Sequence, residues 1–177
     1  MEIRMRSLMS VLALAGLLSL APFGDAGAQA RFSVAGGIAA PMSDLGDAAD
    51  VGYNVTAGLN FDLGGLPIDA RLEGSLSSFG LQDFPEDVRI LNATANAVVN
   101  LGQQRESPYL IGGLGIYNSK FGNAGSESAA GVNLGGGLRF VIGELNTFFE
   151  ARYHAMFGEA GVCANLQYVP IVVGVVF

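Results

Sequence analysis

Val51-Gly-Tyr-Asn-Val-Thr-Ala-Gly-Leu-Asn-Phe-Asp-Leu-Gly-Gly-Leu-Pro-Ile-Asp-Ala-Arg-Leu-Glu-Gly-Ser-Leu-Ser-Ser-Phe79 shows the periodicity that governs the chain. Over 51–63, Tyr53, Val55, Ala57, Leu59, Phe61 and Leu63 take one face, and Asn54, Thr56, Gly58, Asn60 and Asp62 take the other. After Gly64-Gly65-Leu66 the alternation resumes over 67–79. Ile68, Ala70, Leu72, Gly74 and Leu76 alternate there with Asp69, Arg71, Glu73, Ser75 and Ser77. A period of two makes one apolar and one polar face only in an extended strand. Two such runs joined by a short Gly-rich link read as an antiparallel hairpin.

Working outward, 88–101 alternates in the same way, with Leu91, Ala93, Ala95, Ala97, Val99 and Leu101 against Asn92, Thr94, Asn96, Val98 and Asn100. Weaker versions of the pattern occupy 31–40, 108–119, 129–142, 146–157 and 166–177, which predicts eight strands. The links Gly64-Gly65-Leu66, Gly102 to Ser107 and Gly143-Glu144-Leu145 are short, whereas 41–50, 80–87, 120–128 and 158–165 are longer. Long and short connections therefore alternate, and both termini fall on the short-turn side.

The first thirty residues stand apart. Arg4 and Arg6 precede an apolar stretch from Leu8 to Phe23 and the triplet Ala28-Gln29-Ala30, the order of a cleaved secretory signal peptide. The expected division is a signal peptide at 1–30 and one barrel domain at 31–177. No Cys follows the apolar core to receive a lipid.

The chain is 50% hydrophobic, yet past Ala30 no unbroken apolar run approaches the ~18 residues of a membrane helix. A closed barrel is the other way to cross a bilayer, because it pairs every backbone N–H and C=O. The whole chain holds nine basic and sixteen acidic residues, two of each before Arg31, so the net charge stays at −7 after cleavage. Such acidity argues against nucleic acid as a partner. One cysteine, Cys163, and one histidine, His154, exclude a disulfide framework and a multi-Cys or His-rich metal centre, and no cofactor is expected.

Alternation alone does not separate a membrane barrel from a soluble one with its apolar face inward. The polar face here is built from Asn, Ser, Thr and Gly, and Lys120 is the only lysine, a composition suited to a crowded interior. Aromatic residues of the apolar face collect at strand ends: Phe32, Phe61, Phe140, Phe149 and Phe177 near the short turns, Tyr53 and Phe157 near the loops. Tyr53 to Phe61 and Phe149 to Phe157 each cover ~26 Å of strand at ~3.3 Å per residue. Tilted by ~40°, that is ~20 Å, close to the ~25 Å apolar band between two aromatic girdles.

The final segment, Tyr168-Val-Pro-Ile-Val-Val-Gly-Val-Val-Phe177, resembles the closing strand of the outer-membrane β-barrel domain proteins, the small eight-stranded barrels of the outer-membrane protein A and X type. Pro108-Tyr-Leu-Ile-Gly-Gly-Leu-Gly-Ile116 is similar to their fifth strand. The resemblance implies an all-β, eight-stranded antiparallel up-and-down transmembrane barrel in the outer membrane of a Gram-negative-type bacterium, exported through the periplasm. It also implies recognition of the strand ending at Phe177 by the barrel-assembly machinery, contact with outer-membrane lipid and lipopolysaccharide, and a monomer.

By parity the inward face collects Asp69, Arg71, Glu73, Arg139, Glu150, Arg152 and His154. With Arg31 and Asp62 added, four basic residues meet four acidic ones. Buried charges must pair, so the expected arrangement is an ion-pair network plugging a lumen whose bore side chains just fill. Two other readings stay open: a narrow polar pathway for solutes, and a lipid A-modifying hydrolase of the deacylase type centred on His154. A deacylase-like His-x-Ser pattern is absent, since Met156 stands two residues beyond His154. The expectation is therefore a non-enzyme with a structural or surface-interaction role. Asp44, Asp47 and Asp50, and Asp83, Glu86 and Asp87, are loop acids that solvated turn chemistry explains, with divalent-cation bridging as the alternative. Gly113, Gly115, Gly135 and Gly137 leave interior space for long side chains such as Arg139. Pro170, which has no N–H, is expected to mark a bulge.

Overall fold

A computed structural model describes residues 30–64, 66–81, 86–102, 106–122, 125–157 and 166–177. Most of the signal-peptide segment, Asp83, Cys163 and the connection 158–165 lie outside the described residues.

Eight strands close on themselves in sequence order: β1 Ala30–Met42, β2 Gly52–Asp62, β3 Ile68–Gly80, β4 Asp87–Asn100, β5 Ser107–Phe121, β6 Ser126–Ile142, β7 Leu145–Phe157 and β8 Gln167–Val176. All neighbours are antiparallel, and β1 pairs with β8 from Ser33↔Val176 to Met42↔Gln167, so no sheet edge remains. A short helix, α1 (Asp44–Ala48), follows β1. Its Leu45 is buried at the loop end of the barrel, where 41–50 was expected to be plain loop. The helix is too brief to carry a periodic signal.

Burial is inverted relative to a soluble domain. Outward positions of the strands leave Val55, Leu72, Leu91, Leu114, Ile116, Leu134 and Leu138 exposed, while Asn54, Thr56, Arg71, Glu73, Ser75, Asn92, Thr94, Asn96, Glu150 and Arg152 are buried. In water such an exterior would be a very large apolar patch. In hydrocarbon it is the favourable face, and most of the buried polar side chains bond to one another inside.

Two strand boundaries differ from expectation. β5 runs to Phe121 and β6 starts at Ser126, leaving only 122–125 as their connection instead of 120–128. The ladder persists there because Lys120 pairs with Ser126, and Asn118 Nδ2 donates to Ser128 Oγ at 2.9 Å. A polar composition does not end a strand whose neighbour continues. Pro170 makes no bulge. The β7–β8 register is the same on both sides of it, with Ala151↔Ile171 below and His154↔Tyr168 above. The proline sits opposite Ala39 in an unbroken β1–β8 register, so the β7–β8 ladder lapses over the two pairs at Val169 and Pro170 and the register is not displaced.

Candidate functional site

The inward face is layered. At its middle, Arg71 and Glu73 from β3 meet Glu150 and Arg152 from β7 across the lumen. Arg71 Nη1 lies 2.7 Å from Glu150 Oε2 and 3.5 Å from Glu73 Oε1, and Arg152 Nη1 lies 2.6 Å from Glu73 Oε2. Arg152 Nε approaches Glu150 Oε1 at 2.8 Å without hydrogen-bond alignment, a charge contact that closes a four-membered ring of alternating sign. All four side chains are at most 5% exposed. Strand parity brings them together: positions 71 and 73, and 150 and 152, are i and i+2 on inward faces.

Tyr109 on β5 completes the layer. Its hydroxyl donates to Glu150 Oε2 at 2.6 Å, and the guanidinium carbons of Arg71 and Arg139 lie over its ring at 5.6 and 5.0 Å. Asn96 Nδ2 donates to Glu73 Oε2 at 2.9 Å, and Asn133 Nδ2 donates to Asn96 Oδ1 at 2.8 Å. Tyr109 was not among the sequence-derived candidates, because the fifth strand reads as apolar or glycine on both faces. Its signal was the hydroxyl at an inward position opposite Gly137, where an added Cβ would meet the Tyr109 ring. The interior glycines make room for Tyr109 at Gly137 and Arg152 at Gly135, not for Arg139 as the sequence suggested.

Below the ring, Arg139 Nη1 donates to Asn100 Oδ1 at 2.6 Å and Nη2 lies 3.3 Å from Asp69 Oδ2. Asp69, Arg139 and Arg71 line a cavity of about 630 Å³ at the short-turn end, with Arg31, Asp62 and Glu144 at its mouth. Arg31 and Asp62 join no ion pair among the described residues, contrary to the expected balance of four against four. They sit exposed at the ends of β1 and β2, where Asp62 Oδ1 accepts from the Gly64 N–H at 2.9 Å instead.

Above the ring, His154 Nδ1 is 3.0 Å from the Tyr117 hydroxyl, and the imidazole stacks on Tyr168 at 4.9 Å between centroids. Asn92 Nδ2 donates to the Tyr168 hydroxyl at 2.9 Å. An apolar layer of Phe79, Ile90, Met156, Leu166 and Leu45 from α1 follows at the loop end. His154 thus lies between polar and apolar layers, away from the cavity.

Of the aromatic residues assigned to the girdles, Phe32, Tyr53, Phe149, Phe157 and Phe177 are exposed on the outer face. Phe61 and Phe140 are half-buried and border the cavity mouth. Phe32 and Phe177 stack at 6.4 Å across the closure. Among the described residues no group of three acidic, His or Cys side chains is placed to hold a metal ion.

No family model and no curated protein matches the sequence. Solved structures do match. Neisserial surface protein A is similar at a TM-score of 0.71 and 16% identity over 85% of this chain and 97% of that one. The N-terminal β-barrel domain of OprF from Pseudomonas aeruginosa gives 0.53 and 16% over 85% and 99%. The attachment invasion locus protein Ail of Yersinia pestis, solved with the heparin analogue sucrose octasulfate, gives 0.50 and 18% over 85% and 99%. With its inverted faces and sequential closure, the chain has the fold of the small eight-stranded outer-membrane β-barrels.

Proposed function

We propose that the protein is an outer-membrane barrel with a plugged polar interior and a structural or surface-interaction role rather than a catalytic one. The observation that carries the reading is the Arg71–Glu150–Arg152–Glu73 ring, which joins β3 to β7 across the lumen beneath an apolar layer. The apolar exterior supports insertion in a bilayer, and the start of the sequence supports export through the periplasm by a cleaved signal. Assembly then uses the strand ending at Phe177, lipid and lipopolysaccharide surround the monomer, and nucleic acid is no partner. The polyanion bound by the Yersinia protein is a poor guide here, since Asp44, Asp47, Asp50, Glu86 and Asp87 are all exposed at the loop end.

The cavity of about 630 Å³ favours a second reading, a narrow solute channel entered from the short-turn side. Planar-bilayer conductance of the refolded mature protein separates the two, after heat-dependent gel mobility has verified a compact barrel. A silent bilayer supports the plug. Discrete steps that vanish in Arg71 or Glu150 variants establish a pore. The enzyme reading predicts lipid A altered by the wild type and the alteration abolished by His154→Ala; the non-catalytic reading, in keeping with an imidazole engaged by Tyr117 and Tyr168, predicts the same lipid A from both.

A further inference from the structure

Arg89 on β4 and Lys120 on β5 are direct cross-strand partners. Both point outward and are exposed, and they are the two outward-facing basic residues among those described. The other described basic residues, Arg31, Arg71, Arg139 and Arg152, face the lumen or its mouth. Like charges directly opposite in a ladder repel, so a chain with a net charge of −7 has placed the outward positive charge of its described residues at one unfavourable point. Among the described residues the one carboxylate within ion-pair distance is that of Asp87, 3.7 Å from Arg89 and itself 53% exposed, a weak contact.

The register shows what lies beneath. Tyr53, Ser78, Arg89, Lys120 and Ser126 form one cross-strand row, so the basic pair is level in register with an aromatic residue of the loop-end girdle. Two and three rows lower the outer surface is hollowed into an apolar groove of about 610 Å³. Ala57, Gly74 and Ala93 form its floor, and Leu72, Leu114 and Ile116 form its walls. Ala93 and Ile116 are each four residues from the basic pair along their own strands, ~13 Å at ~3.3 Å per residue. The basic pair and the small-residue hollow thus lie on one face, separated by the single outward row of Leu76, Leu91 and Asn118.

We propose that this face binds a phosphorylated, acylated glycolipid of the surrounding leaflet, lipid A in chemistry, with a phosphate between Arg89 and Lys120 and an acyl chain in the β2–β5 groove. The phosphate removes the repulsion within the pair and supplies an acceptor shared by both side chains, where Arg89 has the weak Asp87 contact and Lys120 has no carboxylate within ion-pair distance among the described residues. The groove admits a chain because its floor carries nothing larger than a methyl group. This rests on the membrane reading above and adds to it a defined lipid and its contacts.

The test uses mature protein refolded from urea into phosphatidylcholine vesicles containing lipid A, its dephosphorylated form or phosphatidylglycerol, then extracted in mild detergent for native mass spectrometry. Wild-type barrel should retain lipid A. The Arg89→Gln/Lys120→Gln double variant should retain about tenfold less or lower, as should wild type with dephosphorylated lipid A. Ala93→Phe, which fills the groove, should also reduce retention. Arg31→Gln, a charge loss at the opposite end, should not.

Equal retention by the double variant, or equal retention of the dephosphorylated lipid, overturns the site while leaving the membrane reading intact. So does a dimer of the chain in place of a lipid adduct, or complete displacement by millimolar inorganic phosphate. Protein that does not enter the vesicles at all, seen as absent heat-dependent mobility, overturns both. The double variant should enter normally, because it removes a like-charge contact from an exposed surface.

Discussion

Glu150 is the residue on which the interior depends. Its carboxylate meets Arg71, Arg152 and the Tyr109 hydroxyl at once, while 1% of its side chain is exposed. Two guanidinium groups in so dry a place are tolerable only because two carboxylates alternate with them. Glu150→Gln keeps the shape and removes one negative charge, leaving two buried cations to share Glu73. The expected loss is ~3–5 kcal/mol, read as a lower urea midpoint of the refolded barrel. Arg139→Gln breaks a pair whose guanidinium is 30% exposed, and water takes up the remaining charge, so ~1 kcal/mol or less is expected. Equal midpoints for both variants would mean that the ring does not hold β3 to β7. Gly137→Ala reaches the same hub from the side. Its new methyl would meet the Tyr109 ring and hydroxyl and the Phe149 carbonyl, an overpacking worth ~1–3 kcal/mol on the same urea scale.

The elements were legible wherever one face of a strand differed chemically from the other. β2, β3 and β4 announce themselves because Asn, Thr, Asp, Arg and Glu alternate with Leu, Val and Phe, and the same parity brings residues 71, 73, 150 and 152 to the inward face. Features that parity does not encode were lost: α1, the tyrosines at 109, 117 and 168 that bridge layers, and the strand ends at Phe121 and Ser126, which continue by ladder pairing alone. The Arg89–Lys120 pair was invisible for a related reason, since only the register of β4 on β5 puts residues 31 positions apart side by side.

Register also locates the closure seam's tightest point. A Cβ on Gly37 would meet the Ile171 carbonyl oxygen and the Val172 Cα, all of it backbone, so β1 approaches β8 there as only glycine allows. Gly37→Ala should therefore raise amide exchange in β1 and β8 while β3, β4 and β5 stay protected. Uniform loss of protection would show instead that the seam has no independent weakness.

For the molecule as a whole, the plugged interior proposed above places two barriers of different kind in series between the two ends of the lumen. The lower one is electrostatic, the ring at Arg71, Glu73, Glu150 and Arg152, reached from the short-turn side through the cavity. The upper one is apolar: Phe79, Tyr168 and Met156 are fully buried above it, and Leu45 of α1 is folded in with them. Breaking an ion pair hydrates a constriction, but it does nothing to an apolar layer, which stays dry as long as its side chains are in contact. Two barriers in series predict non-additive opening. Glu150→Gln alone should stay silent in a planar bilayer, although less stable. Phe79→Ala with Met156→Ala should stay silent too, because the ring remains. Only the triple variant should conduct, and its current should depend on Arg71, left with a single carboxylate partner. Steps from Glu150→Gln alone would show that the apolar layer is already permeable, and would return the cavity at the short-turn end to the status of a channel mouth.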